Sequence, residues 1–350
     1  MKTEKETIKE SSINSNEQLD FSHQIDDTLT RSKPSHPTIT KRDSQNQEKD
    51  WDIEHAFFSG YLSDKEIPKE ILLHEASFLK KWTIHKQNPG SYSCVGYAVT
   101  DVVYWHLKEK EAEENRNLNK DKPLQRLSAR FNWMAAKEMD DFTDRPTTFI
   151  EQEGSSLKAG LDVARKYGSV EDNLLPTDSN ALFQGTARHF YAHAATNIIN
   201  SYFNLLISKT QFFETEEERN MVQLLIWKKW LAENGPILVR IQVNSIFDKA
   251  EKSPLKNNRN NSNQKDIDYH AALLVGYTDK ELIIRNSWGT DWGEKGYAHL
   301  DESYALDIID EAYGITVKSP RVKVGYNPDA QAEERGIMDI IRTIIRKMSH

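Results

Sequence analysis

Hydrophobic and polar positions divide the chain into a polar start, a helical first half and a strand-rich second half. Residues 1–50 show almost no apolar periodicity and are rich in Ser, Thr, Asn, Gln and charged side chains, so we predict a disordered tail there. Ordered sequence is expected from Trp51, where Ile53, Ala56 and Phe57 follow at roughly helical spacing.

Apolar residues at helical spacing predict several helices before residue 235. The first opens at Cys94 and carries one apolar stripe, formed by Val95, Ala98, Val99, Val102 and Val103. LSARFNWMAAKEMD predicts a second helix with Ser128 as N-cap, and GSSLKAGLDVARKYGSV a third that ends at Gly168. Thr215 and Glu218 form a capping-box pattern ahead of a fourth, through MVQLLIWKKWLAEN.

Beyond Gly235-Pro236 the pattern changes to strands. Four runs rich in Val, Ile, Leu and Tyr are ILVRIQV, HAALLVGY, ELIIRNSW and GYAHL. A polar loop at about 249–266 separates the first two runs. Helices first and strands second predict an α+β protein with two lobes.

Residues 321–350 form a distinct segment, because apolar residues repeat at helical spacing in QAEERGIMDIIRTIIRKM. We interpret it as a C-terminal amphipathic helical extension. Packing on the body of the protein is one use of such a helix. Contact with a membrane surface or a partner is the other, which the interleaved Arg342, Arg346 and Lys347 favour.

Composition narrows the class of protein. The net charge of −8 argues against nucleic acid as a partner, and a single cysteine excludes an intramolecular disulfide. The N-terminus lacks the apolar core of a secretory signal, so we expect a cytoplasmic protein, or one exported without an N-terminal signal peptide. No H-E-x-x-H or paired C-x-x-C motif occurs, and no metal or other cofactor is predicted.

Candidate chemistry depends on Cys94, His270 and Asn286. A thiol nucleophile needs a base, a group that orients the base, and donors for the oxyanion. His270 begins one predicted strand and Asn286 ends the next, and the 16 residues between them fit two antiparallel strands joined by a turn. An asparagine in this place can accept from one imidazole nitrogen while the other nitrogen faces the thiol.

These residues carry a family resemblance. QNPGSYSCVGYA, HAALLVGY and RNSWGTDWGEKGY together resemble the papain family of cysteine peptidases, in particular the bacterial branch without disulfides. The family's usual C-G-[SA]-C-[WY] reads SYSCV here, and the separations from Cys94 to His270 (270 − 94 = 176) and Asn286 (286 − 94 = 192) imply insertions.

The resemblance spans about Pro68 to Val317 and implies the family's architecture. We therefore expect a papain-like two-lobe fold, with an N-terminal helical lobe, a C-terminal antiparallel β-barrel-like lobe and the active-site cleft between them. Residues 67–320 would form this catalytic domain. Residues 51–66 are then interpreted as a linker or a short pro-like segment.

The resemblance also implies residue roles. Cys94 would be the nucleophile, His270 its proton partner and Asn286 the residue that orients His270. Trp288 would shield the histidine–asparagine hydrogen bond. The Cys94 backbone N–H and a side-chain amide would bind the oxyanion; that amide is Gln87 or Asn88, and we favour Gln87.

Further positions are expected at the substrate cleft or away from the site. Gly154 and Ser155 align with the glycine pair that binds the substrate backbone, and Tyr269 and Trp292 are expected to line the cleft. The other histidines considered have no matching context and are interpreted as surface or packing residues; they are His85, His106, His189, His193 and His299.

The predicted function is a hydrolase, a cysteine endopeptidase acting on protein or peptide substrates through an acyl-enzyme. A deamidase or acyl transferase acting on one specific protein, as an effector or toxin does, would use the same thiolate. A binding module with a vestigial site is the third alternative.

Overall fold

The computed structural model describes residues 51–63, 65–79, 82–88, 91–115, 125–139, 154–207, 213–250, 254–256 and 268–318. The predicted tail at 1–50 and the predicted amphipathic extension at 321–350 lie outside these residues. The polar loop at 249–266 is described only in part.

Most described helices lie in the first part of the chain, and most described strands lie after residue 236. The helices are α1 (Ile53–Phe58), α2 (Cys94–Asn115), α3 (Ala129–Met139), α4 (Leu157–Lys166), α5 (Ala187–Ala194), α6 (Glu216–Glu233), α7 (Ser245–Lys249) and α8 (Glu302–Ile308). The strands are β1 (Ile71–Leu72), β2 (Ser201–Asn204), β3 (Ile237–Val243), β4 (Asp268–Tyr277), β5 (Glu281–Arg285), β6 (Tyr297–Asp301) and β7 (Ile309–Thr316).

The strands form one antiparallel sheet in the order β2-β7-β3-β4-β5-β6, with β1 added to β4. β4 and β5 are neighbours, with Leu273 opposite Arg285, as the short predicted turn between them requires. The sheet therefore brings the start of β4 close to the residues that follow β5.

Local sequence signals explain where the predicted helices begin and end. The Ser128 hydroxyl accepts from the Phe131 backbone N–H at 3.1 Å, so Ser128 caps α3 as predicted. Thr215 caps α6 by accepting from the Glu218 N–H at 3.1 Å. Gly168 follows α4 with φ +85°, a conformation that a side chain would strain. The predicted α2 stripe is buried throughout.

Opposite faces of the central strands pack against different helices. On β4, Leu273 and Val275 join the cluster that contains the α2 stripe, whereas Ala272 and Leu274 join the cluster that contains Trp227 of α6. Side chains alternate across a strand, so the almost continuous apolar run of this sequence fills both clusters. α2, which begins with Cys94, is thereby held against one face of the sheet.

The segment 51–66, interpreted from its sequence as a linker or pro-like segment, packs into the domain. α1 begins after Asp52, whose carboxylate accepts from the Glu54 and His55 N–H groups. Tyr61 is 4% exposed, and its hydroxyl donates to the Lys318 carbonyl at 2.9 Å. The described part of this segment is therefore packed against the domain, and its role as a linker or pro-like segment stays a prediction.

Candidate active site

Cys94 occupies the first position of α2 and is 1% exposed. Burial raises the pKa of its thiol to about 12, and hydrogen bonds from the backbone of Ala271 and Val95 act in the opposite direction. The Ala271 contact places the sulfur beside the residue that follows His270. The helix N-terminus also favours a thiolate, because its backbone N–H groups carry partial positive charge.

His270 and Asn286 meet as the strand register predicts. The His270 Nε2 and Asn286 Oδ1 atoms are 2.7 Å apart, and both side chains are buried. The Ser287 backbone N–H donates to the same Asn286 oxygen at 2.7 Å, which fixes the orientation of the amide. An amide oxygen only accepts, so Nε2 carries the proton and Nδ1 is the nitrogen that can exchange a proton with a thiol.

An aromatic group covers the His270–Asn286 pair. The Trp288 and His270 rings lie 4.6 Å apart, and the Phe247 and Trp288 rings lie 5.7 Å apart. Trp292 is 7% exposed, and its indole N–H donates to the Phe247 carbonyl at 3.1 Å. Trp292 is therefore buried against Phe247 and Trp288, and its place at the substrate cleft stays a prediction.

Gln87 and Asn88, the two side chains predicted to bind the oxyanion, differ in burial and in their hydrogen bonds. Gln87 is 3% exposed, and its amide nitrogen donates to the Ser91 carbonyl at 2.6 Å, in the loop that leads to Cys94. Asn88 is exposed, and its backbone carbonyl accepts from the Ser91 hydroxyl at 2.9 Å. The Gln87 backbone N–H also donates to the Ser287 carbonyl at 2.8 Å, so this loop is joined to the residues after Asn286.

The other residues predicted to line the cleft, Gly154, Ser155 and Tyr269, differ in burial. Gly154 and Ser155 are buried directly before α4, where the Ser156 hydroxyl accepts from the Ala159 N–H at 3.1 Å. Tyr269 is half-buried, and the Arg240 guanidinium lies 4.5 Å from the centre of its ring.

Sequence reasoning missed several residues around the site. His85, interpreted as a surface or packing residue, is 6% exposed and hydrogen-bonds the Asp101 carboxylate at 2.8 Å. Asp101 also accepts from Arg285 at 2.9 Å. An acidic residue inside the apolar run AVTDVVYW was the available signal, because buried carboxylates are rare without a partner. Phe247, whose ring contacts Trp288, was also missed, and no feature of the sequence around it indicated that it lies at the site.

The described residues were also compared with what a metal site and a membrane-spanning helix require. No group of three or more His, Cys, Asp or Glu side chains among them is arranged to hold a metal ion. No described helix combines the length and the apolar run that a membrane crossing needs.

Solved structures share this fold. Xylellain, a cysteine protease from Xylella fastidiosa, matches with a TM-score of 0.57 at 16% identity, over 82% of this chain and 97% of that chain. Procathepsin B S9 from Trypanosoma congolense matches with a TM-score of 0.52 at 14% identity, over 83% of this chain and 89% of that chain. The fold is the α+β fold of papain-like cysteine proteases, as predicted.

Sequence comparison finds similarity to one family. Residues 173–316 match the model described as the papain family cysteine protease. A peptidase C1-like protein of Acanthamoeba polyphaga mimivirus is 38% identical over 161 residues, 45% of this chain and 49% of that protein. The viral cathepsin of Cydia pomonella granulosis virus is 36% identical over 102 residues, 28% of this chain. The chain is similar to papain family cysteine proteases, and the predicted resemblance is confirmed.

The matches are partial. The chain spans 27% of the length of that viral cathepsin and 19% of the length of a Trypanosoma brucei brucei cysteine proteinase to which it is 32% identical over 92 residues. The related proteins come from viruses and eukaryotes as well as a bacterium, so the predicted place in the bacterial branch stays a prediction.

Proposed function

We propose that this chain is a cysteine endopeptidase that hydrolyses peptide bonds in protein or peptide substrates through an acyl-enzyme on Cys94. The observation that carries the proposal is the 2.7 Å contact of His270 Nε2 with Asn286 Oδ1, next to a thiol that contacts the Ala271 backbone. The relationship to the papain family supports the same chemistry.

The first step forms the acyl-enzyme. The Cys94 proton moves to His270 Nδ1, and the sulfur electron pair attacks the scissile carbonyl carbon. The oxygen becomes an oxyanion as the tetrahedral intermediate forms. When that intermediate collapses, the C–N bond breaks and His270 gives its proton to the leaving amine, which produces a thioester and a free amine.

The second step hydrolyses the thioester. His270 takes a proton from water, the hydroxide oxygen attacks the thioester carbon, and the C–S bond breaks. The product is a carboxylic acid, and Cys94 recovers its proton from His270. Asn286 keeps Nε2 protonated throughout, so the same nitrogen, Nδ1, exchanges the proton in both steps.

Oxyanion stabilisation is assigned to the Cys94 backbone N–H and the Gln87 amide. The burial of Gln87 and its contact with the loop before Cys94 support this choice over the exposed Asn88. The Gln87 amide nitrogen carries two N–H groups, so donating one to the Ser91 carbonyl leaves a second for the substrate oxygen.

A peptide-library experiment tests the proposal. Wild-type protein and the Cys94→Ala variant are incubated with a library of defined peptides, and new termini are identified by mass spectrometry. We expect cleavage by the wild type and none by the variant. Equal product from both proteins, or conversion of glutamine side chains to glutamate without new termini, would contradict the endopeptidase assignment.

A further inference from the structure

Asp101 lies on the same helix face as Cys94. It follows Cys94 by seven residues, which is almost two full turns of α2. Its side chain is 10% exposed and lies between α2 and the sheet. A charged group in this position must be compensated by partners within the protein.

Each carboxylate oxygen of Asp101 has its own partner. Oδ1 accepts from the His85 Nε2 at 2.8 Å, and Oδ2 accepts from the Arg285 Nε at 2.9 Å. Burial by itself would raise the pKa of Asp101, but the Arg285 guanidinium and the His85 ring together lower it to about 2. The group is therefore a carboxylate at neutral pH.

The two partners belong to the segments that carry the other proposed site residues. Arg285 directly precedes Asn286 at the end of β5. His85 stands two residues before Gln87. One carboxylate on the nucleophile helix thus binds both the segment with the oxyanion amide and the strand that ends directly before Asn286, the residue that orients His270.

Arg285 also ties these two segments to each other. Its Nη2 atom donates to the Thr83 carbonyl at 2.6 Å. Two backbone hydrogen bonds join the same segments further along. The Gly289 N–H donates to the His85 carbonyl at 2.8 Å, and the Gln87 N–H donates to the Ser287 carbonyl at 2.8 Å. A buried ion pair contributes little net stability compared with apolar packing of the same volume. The Asp101–Arg285 pair is therefore better explained by the way it holds α2, the His85 segment and β5 in place.

We propose that Asp101 is a positioning residue that fixes the Cys94 end of α2 relative to the segments of Gln87 and Asn286. The proposal rests on the function proposed above. Asp101 touches neither substrate nor thiol in this role. It acts by keeping the thiol in proton-exchange distance of His270.

Alkylation of Cys94 by iodoacetamide tests the positioning role without a substrate. Cys94 is the single cysteine of the chain, so intact mass reports one adduct at one place. Rates are measured across pH for the wild type, Asp101→Asn, and the double variant Asp101→Leu/Arg285→Met. Asp101→Asn is the direct variant, and the double variant, which removes both buried charges, replaces it if Asp101→Asn, which leaves Arg285 without its carboxylate, does not fold.

Glu233→Gln is the matched control, because Glu233 forms a comparable 3.3 Å ion pair with the buried Lys229 on α6, away from Cys94. We expect the double variant to melt near the wild type but to alkylate about 10- to 100-fold more slowly at pH 6, since a displacement of about 1 Å costs reactions up to about a hundredfold. The Glu233→Gln variant should alkylate at the wild-type rate.

Two results would overturn the positioning role. One is a folded double variant that alkylates at the wild-type rate across the whole pH range. The other is a loss of rate in the control that matches the loss in the double variant. A wild-type protein that shows the expected Asp101-dependent alkylation but cleaves no peptide would contradict the proposed function alone.

Discussion

The Cys94 thiol experiences two opposing effects. Burial raises its pKa to about 12, which disfavours an isolated thiolate. In the proposed mechanism a protonated His270 beside it supplies the opposite charge, so the pair can exist as thiolate and imidazolium where neither ion would exist alone. Under this proposal the reactivity of Cys94 is a property of the pair.

The first prediction removes the partner. In His270→Ala, the thiol stays buried without its proton partner, so it should lose its reactivity near neutral pH and be alkylated only well above the ordinary thiol pKa of about 8.5. At pH 6 the rate should fall by about a hundredfold or more, since under about 1% of such a thiol is ionised. An alkylation profile identical to that of the wild type would contradict the pairing.

The second prediction separates the two oxyanion candidates. Gln87→Ala should lower kcat by about 100- to 1,000-fold with little change in KM, because the amide acts on charge that develops in the transition state. Asn88→Ala is the control and should retain kcat within about threefold, because this side chain is exposed. Steady-state kinetics on one cleaved peptide would measure both, and the reverse ranking would assign the role to Asn88.

At the scale of elements, α3 approaches α2 closely at Gly96. A Cβ at this position would lie 2.5 Å from the Ala129 carbonyl oxygen and 2.8 Å from the Trp133 Cβ. The contact lies in the first turn of α2, two residues from Cys94. Glycine thus lets the helix that carries the thiol dock against its neighbour.

The third prediction follows from that contact. Gly96→Ala should lower the free energy of unfolding by about 1–3 kcal/mol, because the added methyl group forces backbone to shift. Met221→Ala, at a position 56% exposed on α6, is the control and should change it by less than about 0.5 kcal/mol. Urea denaturation measures both, and a Gly96→Ala protein as stable as the wild type would disprove the tight contact.

At the scale of the whole molecule, His106 links stability to pH. Burial lowers its pKa from 6.5 to about 3, and Lys318 acts in the same direction. The unfolded chain binds a proton at this histidine below about pH 6.5, whereas the folded chain does so only near pH 3. His106 therefore makes the folded state progressively less stable as the pH falls through this window.

The fourth prediction concerns that slope. His106→Gln should reduce the dependence of unfolding free energy on pH between 4 and 6 by about 1.4 kcal/mol per pH unit, which corresponds to one proton. His189→Gln is the control, because His189 is exposed. Urea unfolding at several pH values measures the slope, and equal slopes in wild type and His106→Gln would contradict the account.

The sequence predicted the parts of the molecule that depend on local signals. The start of α2, the caps at Ser128 and Thr215, and the meeting of His270 with Asn286 all follow from short-range patterns. β2 and β7 were not predicted, because β7 pairs with β3 far along the chain: Ile237 lies opposite Gly314, and 314 − 237 = 77 residues. The three-way contact of His85, Asp101 and Arg285 also depends on long-range packing, which no local pattern encodes.

The most direct test of the central claim is to trap the acyl-enzyme. A cleaved peptide is mixed with the protein, the reaction is stopped with acid within the first turnover, and the digested protein is analysed by mass spectrometry. We predict the acyl part of the substrate attached to Cys94, and no adduct in Cys94→Ala. Peptide cleavage that persists in Cys94→Ala, or an acyl group on another residue, would contradict the account.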